Sequence, residues 1–152
     1  MAMSPEQLEH LKAAAGNFFP FVSRCEVVTE SLAFGHCRMR MPLAPNINHI
    51  GTMYAGALFT LAELPGGVLY LASFDTQRFY PIVKDLQIRF RRPARSDVTV
   101  EVNMAADEIA RIQTAADADG KCDYEWECEL KDADGEVVAL TRNLYQLRRI
   151  GS

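Results

Sequence analysis

Histidine and cysteine, the usual ligands of a structural zinc, are scarce in this chain. Three histidines and four cysteines are spread over 152 residues, with no C-x-x-C pair and no histidine at zinc-ligand spacing from a cysteine pair. A zinc ribbon or finger is excluded as the organising element, and no metal site is expected. The opening run Met1-Ala2-Met3-Ser4-Pro5-Glu6 has no basic stretch followed by an apolar one, so no secretory leader is expected. Cys25, Cys37, Cys122 and Cys128 are then expected as reduced thiols of a cytoplasmic protein. An excess of positive charge is also missing. Sixteen Lys and Arg stand against twenty Asp and Glu, a net charge of −4, which argues against nucleic acid as the principal partner. Met53 to Phe74 is the one apolar run long enough to raise the question of a membrane span. Glu63 in its middle and Pro65-Gly66-Gly67 behind it argue for a buried core helix instead, with no membrane partner.

What remains is an ordinary globular composition, 49% hydrophobic and 24% charged, sized for one compact domain over 1–152. Ser4-Pro5-Glu6-Gln7 reads as a helix start, with Ser as N-cap and Pro in the first helical position, for a helix over about 4–15. Phe18, Phe19 and Phe21 around Pro20 read as a hydrophobic clamp leading into a strand. Two strands are predicted at 22–30 and 32–41 with a turn near Ser31. In the second, Cys37, Met39 and Met41 face one way and His36, Arg38 and Arg40 the other. Pro42 and Pro45 mark a loop.

The central helix is predicted over about 53–74, apolar nearly all round and therefore buried on all sides, with a kink or break just past Glu63, at Pro65. Strands follow at 81–92, 98–106, 122–131 and 137–149, the last two joined by a hairpin turn at Asp132-Ala133-Asp134-Gly135. Cys122, Tyr124, Trp126, Cys128 and Leu130 share one face of their strand, which places both cysteines in the core. A helix of about 107–118 ends at Asp119-Gly120. Strands flanking one central helix indicate an α+β fold with a sheet wrapped around that helix.

Glu63 stands out on physical grounds. Burying a carboxylate in an apolar helix costs several kcal/mol unless it is paired, hydrogen-bonded or protonated. A perturbed carboxyl in such a place is a candidate for chemistry. The alternative is a structural acid, neutral or paired with Lys84 or an arginine.

The run Asn48-His49-Ile50-Gly51-Thr52-Met53-Tyr54-Ala55-Gly56, continued to Leu61-Ala62-Glu63, resembles the active-site signature of hotdog-fold acyl-CoA thioesterases, in the PaaI-like and DUF4442-like group. The resemblance implies a hotdog fold along the whole chain. It makes Glu63 the general base or nucleophile on the thioester, and Asn48 the loop amide that holds the carbonyl or the attacking water. The backbone N–H of Ala55, beside Gly56, becomes the oxyanion donor, a role that suits the unpaired N–H groups of a helix N-terminus. Two positions depart from the family pattern: Tyr54-Ala55-Gly56 replaces H-G-G, and Val83, beside Lys84 and Asp85, stands where some members carry Ser or Thr. The implied substrate is an acyl-CoA or similar thioester, with no further cofactor, bound between the subunits of a homodimer or tetramer.

Other assignments stay open at this point. Asn48 also fits an Asx-turn, His49 an ordinary loop residue, and Tyr54 a core or pocket-wall aromatic. Met53, Leu58, Phe59, Leu61 and Phe74 are candidate walls for an acyl tunnel. Arg89, Arg91 and Arg92, with Arg95, suit the phosphates of coenzyme A or a solvated strand end. His49 and Glu63 also stand at a spacing similar to that of hotdog hydro-lyases, and a non-catalytic thioester binder is the third reading.

Overall fold

The computed structural model describes residues 3–152. Met1 and Ala2, which open the expected 1–152 domain, lie outside the described residues. Ser4 caps the first helix, α1 (Pro5–Ala14), through a capping box: its hydroxyl accepts from the Gln7 N–H while its own N–H donates to the Gln7 side chain. A 3-10 turn and α2 (Pro20–Cys25) follow. The Phe18–Phe21 segment thus leads into a short helix rather than a strand, because Pro20 takes the first helical position, where a missing N–H costs nothing.

The strands are β1 (Val28–Ala33), β2 (His36–Met41), β3 (Phe79–Phe90), β4 (Val98–Asn103), β5 (Lys121–Lys131) and β6 (Val137–Arg149). They form one antiparallel sheet in the order β1-β2-β4-β5-β6-β3, with β1 and β3 at its edges. The first hairpin turns at Phe34-Gly35, not near Ser31. Gly35 supplies the positive φ of +72° that the turn needs, and the irregularity around Ser31 is a bulge inside β1. β4 ends at Asn103, short of Ala106, because Ala105 already precedes the first turn of the next helix.

The apolar run forms α3 (Ala55–Glu63) and α4 (Pro65–Ser73), continuous through Leu64. Its 19 residues satisfy the length and hydropathy of a membrane span, but the helix lies against the sheet and is mostly buried there. α5 (Ala106–Asp119) turns Ile109, Ile112 and Ala116 inward and stops at Gly120, φ +78°. The inner face of the sheet carries Cys37, Met39, Met41, Val98, Val100, Cys128 and Leu130 against Leu58, Leu61, Val68 and Leu69 of the central helix. Burying one such leucine contributes about 1.5–3 kcal/mol. A smaller cluster under α5 joins Tyr70, Phe74, Phe79, Tyr124 and Tyr145. Cys122, at the start of β5, packs against this cluster but is only partly buried, so it is not the core residue expected.

Pro65 shapes the join between helix and sheet. It has no N–H for the carbonyl four residues earlier, and just beyond it the N–H groups of Gly67 and Val68 both turn to the Leu64 carbonyl. The carbonyls of Ala62 and Glu63 receive side chains of β6 instead. Asn143 Nδ2 donates to the Ala62 oxygen at 2.9 Å, and the Tyr145 hydroxyl donates to the Glu63 oxygen at 3.1 Å. Asn143 also donates to the Tyr145 hydroxyl and accepts from Thr141, each at 2.8 Å. Gly66 lets the helix come this close, for a Cβ there would strike the Tyr145 ring.

Replacing Asn143 by Leu, similar in volume but without the donor, strands the Ala62 carbonyl in the core. Urea unfolding should report a loss of about 1–3 kcal/mol. An unchanged midpoint would remove Asn143 from this role.

Candidate active site

The loop before α3 closes on itself. The Asn48 side-chain oxygen accepts from the N–H groups of Ile50 (3.0 Å) and Thr52 (3.1 Å), and its Nδ2 donates to the Thr52 hydroxyl at 2.9 Å. Gly51, at φ +80°, makes the reversal possible. Asn48 therefore builds the Asx-turn that its loop position allowed, and no hydrogen bond joins it to Glu63 among the described residues. His49 is exposed on the same loop.

Tyr54 is the N-cap of α3 and makes no side-chain cap. It is 60% exposed rather than a core residue, its ring lying over Gly56, where a Cβ would collide with it. The carbonyl of Tyr54 accepts from Ala57 and Leu58. The N–H groups of Ala55 and Gly56, ahead of these, have no acceptor among the described residues. They stand as the free donors of a helix N-terminus.

Glu63 lies at the other end of α3, half-buried. Neither Lys84 nor any arginine pairs with it among the described residues: Lys84 bonds Asp123 at 2.6 Å, and Gln146 holds the same carboxylate at 2.7 Å. Burial alone pushes the Glu63 carboxyl above the ordinary glutamate range. The central helix is not covered on every side. Gly56, Phe59 (42% exposed), Thr60, Glu63, Gly67 and Leu71 form a stripe that the sheet leaves open.

A cavity of about 230 Å³ adjoins Glu63 on that stripe, walled by Phe18 and Phe19, by Leu64, Gly67, Val68, Tyr70 and Leu71 of the helix, and by Pro81 of β3; the Tyr70 hydroxyl is occupied, donating to the Phe79 carbonyl. The expected tunnel walls are elsewhere: Met53, Leu58, Leu61 and Phe74 are core residues. Phe18 and Phe19 are the site residues that sequence reasoning missed. The signal available was three phenylalanines around a proline with no periodicity to bury them, and both prove to be about half exposed.

Val83 pairs in register with Tyr145, which places it on the helix side of the sheet, just before a bulge that opens at Lys84. The arginines do not converge on Glu63. Arg89 pairs with Leu140 on the opposite face, where it borders a cavity with Glu129 and Arg142. Arg92 is held by Glu136 at 2.9 Å, and Arg91 is exposed beyond the end of β3. Among the described residues no group of three or more His, Cys, Asp or Glu is placed to hold a metal ion.

Residues 8–145 match the model of a domain of unknown function, DUF4442. Among solved structures the chain is similar to a Pseudomonas aeruginosa protein of unknown function described as a probable thioesterase. Identity is 50%, 98% of each chain is covered and the TM-score is 0.90. It is also similar to a protein of unknown function from Chlorobaculum tepidum (18% identity, 97% and 98% of the two chains, TM-score 0.81). A third likeness is to a thioesterase from Haemophilus influenzae (15%, 100% and 95%, 0.73). The last two likenesses concern the fold, which is the hotdog arrangement of a six-stranded antiparallel sheet with a long helix against it. No curated protein matches the chain.

The raised pKa of Glu63 makes a stability prediction. The folded state holds this proton more tightly than the unfolded chain, so the group's contribution is fully present below the unfolded-state pKa. It is lost as pH rises through the folded-state value. Glu63→Gln should therefore raise the melting temperature at neutral pH, and the gain should vanish in acid, below the ordinary glutamate range. Thermal scans across pH test this; a lower melting temperature at neutral pH would show that Glu63 has a stabilising partner.

Proposed function

This chain belongs to the DUF4442 family, within the hotdog-fold thioesterase group, and from that membership we propose that it hydrolyses acyl thioesters, acyl-CoA foremost, with Glu63 as the acting carboxylate. The observation that carries the proposal is a half-buried carboxyl, raised by burial and free of any ion pair among the described residues, beside an apolar cavity. In the general-base route Glu63 takes a proton from a water molecule as that water attacks the thioester carbonyl. In the nucleophilic route its own oxygen attacks, and water then cleaves the mixed anhydride. Both routes pass through an oxyanion, for which the free N–H groups of Ala55 and Gly56 are the donors we assign. Collapse expels the coenzyme A sulfur, which leaves as the thiol once protonated.

The cavity beside Glu63 includes no residue from Asn48 to Gly56. We therefore propose a homodimer, alone or within a tetramer, in which that loop of one copy meets Glu63 of the other. The long exposed edge of β3 and the exposed side chains of Ile47, Ile50, Tyr54, Phe59 and Val83 support it. Asn48 is then a positioning residue that shapes the loop. Tyr54, Val83 and His49 border the substrate, and Arg91, with Arg89, Arg92 and Lys84 as further candidates, meets the coenzyme A phosphates. The cytoplasm, where free thiols such as the four cysteines persist, is the proposed compartment.

A panel of acyl-CoAs with thiol-release detection tests the assignment. Glu63→Gln should lower kcat by roughly 10²–10⁴-fold. The wild-type kcat/KM should fall in acid with an apparent pKa above the ordinary glutamate value, because only the ionised carboxyl accepts the proton. Hydrolysis that survives Glu63→Gln at full rate would sink the role given to this residue.

A further inference from the structure

Gly66 and Gly67 are adjacent in the same helix, but only one of them has a structural reason to be glycine. A Cβ on Gly66 would strike the Tyr145 ring, whereas a Cβ on Gly67 would meet nothing within 4 Å. Gly67 has no left-handed φ to excuse it either, and it lies inside the long apolar helix, where glycine is a poorer helix former than any residue except proline. A side chain there would stabilise the helix and would project into the cavity that Glu63 adjoins. The position follows Glu63 by one helical turn, so the two share a face.

The opposite wall is Phe18 and Phe19, carried on the segment between α1 and α2, with Pro81 closing the side toward β3. Apart from Glu63, the side chains around the cavity carry no charge. A charged or strongly hydrated group placed against these walls would give up part of its solvation without a partner, while an alkyl or aryl group would not.

We propose that Gly67 and the Phe18-Phe19 pair set the size of the acyl group this protein accepts: Gly67 leaves open the floor of an apolar pocket, the two phenylalanines limit its depth, and the acyl group enters it from a carbonyl held at Glu63. This rests on the thioesterase reading of Glu63. The volume, about 230 Å³, sets the class. An apolar cavity of about 150 Å³ holds one benzene ring, so this pocket accommodates roughly six to nine carbon atoms, as a medium straight chain or a single ring on a short tether.

The test uses the full chain with acyl-CoA substrates and with non-hydrolysable S-alkyl-CoA thioethers of graded length. In the wild type, kcat/KM and thioether affinity should rise with length up to about eight carbons and then level or fall. Gly67→Ala should raise the melting temperature. Gly67→Leu, which fills the floor, should lower the ratio of octanoyl-CoA to propionyl-CoA turnover by roughly ten- to hundredfold and weaken S-octyl-CoA more than S-ethyl-CoA. Phe19→Ala should move the optimum to longer chains.

An unchanged length profile in Gly67→Leu would overturn the proposal, as would wild-type protein that binds S-ethyl-CoA and S-octyl-CoA equally. A Gly67→Leu variant that alters the sedimentation mass and leaves the length profile untouched would overturn it too, by assigning the cavity to a second copy of the chain. Failure of the thioesterase reading gives a different result. No thioester is then hydrolysed by the wild type, while graded thioether binding and its loss in Gly67→Leu still report on the pocket.

Discussion

Two hydrogen bonds from β6 hold the central helix where its own backbone cannot. Pro65 interrupts the helical ladder in the middle of the core, where a free carbonyl would cost about 1–3 kcal/mol. Asn143 and Tyr145 supply donors to Ala62 and Glu63 at that point. The helix can come down onto the sheet because Gly66 has no side chain under the Tyr145 ring. The contact orients the last turn of α3, and with it the Glu63 side chain, toward the stripe that the sheet leaves open. Thr141 completes the chain of bonds by occupying the remaining oxygen of Asn143. The buried polar groups of this network thus satisfy one another.

The same arrangement explains how an acid is tolerated in an apolar helix. The backbone of Glu63 is anchored to β6, whereas its side chain points to a surface only half covered. Desolvation is then strong enough to raise the pKa, and no opposite charge lowers it. Lys84, the expected partner, is drawn across the sheet to Asp123, whose other oxygen accepts from Gln146. A lysine beside Glu63 would stabilise the ionised form and return its pKa to the ordinary range. The separation leaves desolvation as the only influence on the carboxyl and keeps its pKa above the ordinary glutamate range, at some cost to the folded state. Stability and reactivity pull in opposite directions at this residue.

Much of the fold was legible because local rules decide it. The capping box at Ser4, the alternation of Cys37, Met39 and Met41, the break in the helical ladder at Pro65, the hairpin at Asp132–Gly135 and the end of α5 at Gly120 all follow from nearby residues. Errors gathered where long-range contact overrules pattern. Ser31 resembled a turn residue, but a bulge accommodates it and the chain reverses at Gly35. The central helix is apolar all round in sequence, yet Phe59 and its neighbours stay open because the sheet covers only part of the circumference. Asn48 was legible as a loop residue with two possible roles, and hydrogen bonds inside the loop account for its side chain.

The sequence by itself determined that one carboxylate sits in an apolar helix, that a polar loop precedes that helix, and that the chain carries the pattern of a hotdog thioesterase. These are properties of residue type and spacing along a single segment. Only the tertiary structure decided what surrounds the carboxylate. Phe18 and Phe19 lie far from Pro81 in the chain, and only the fold brings the three together as walls of a cavity. It also separated Gly66 from Gly67, identical letters in one helix. One lies under an aromatic ring of β6 and the other faces open space, a distinction set by packing across the fold.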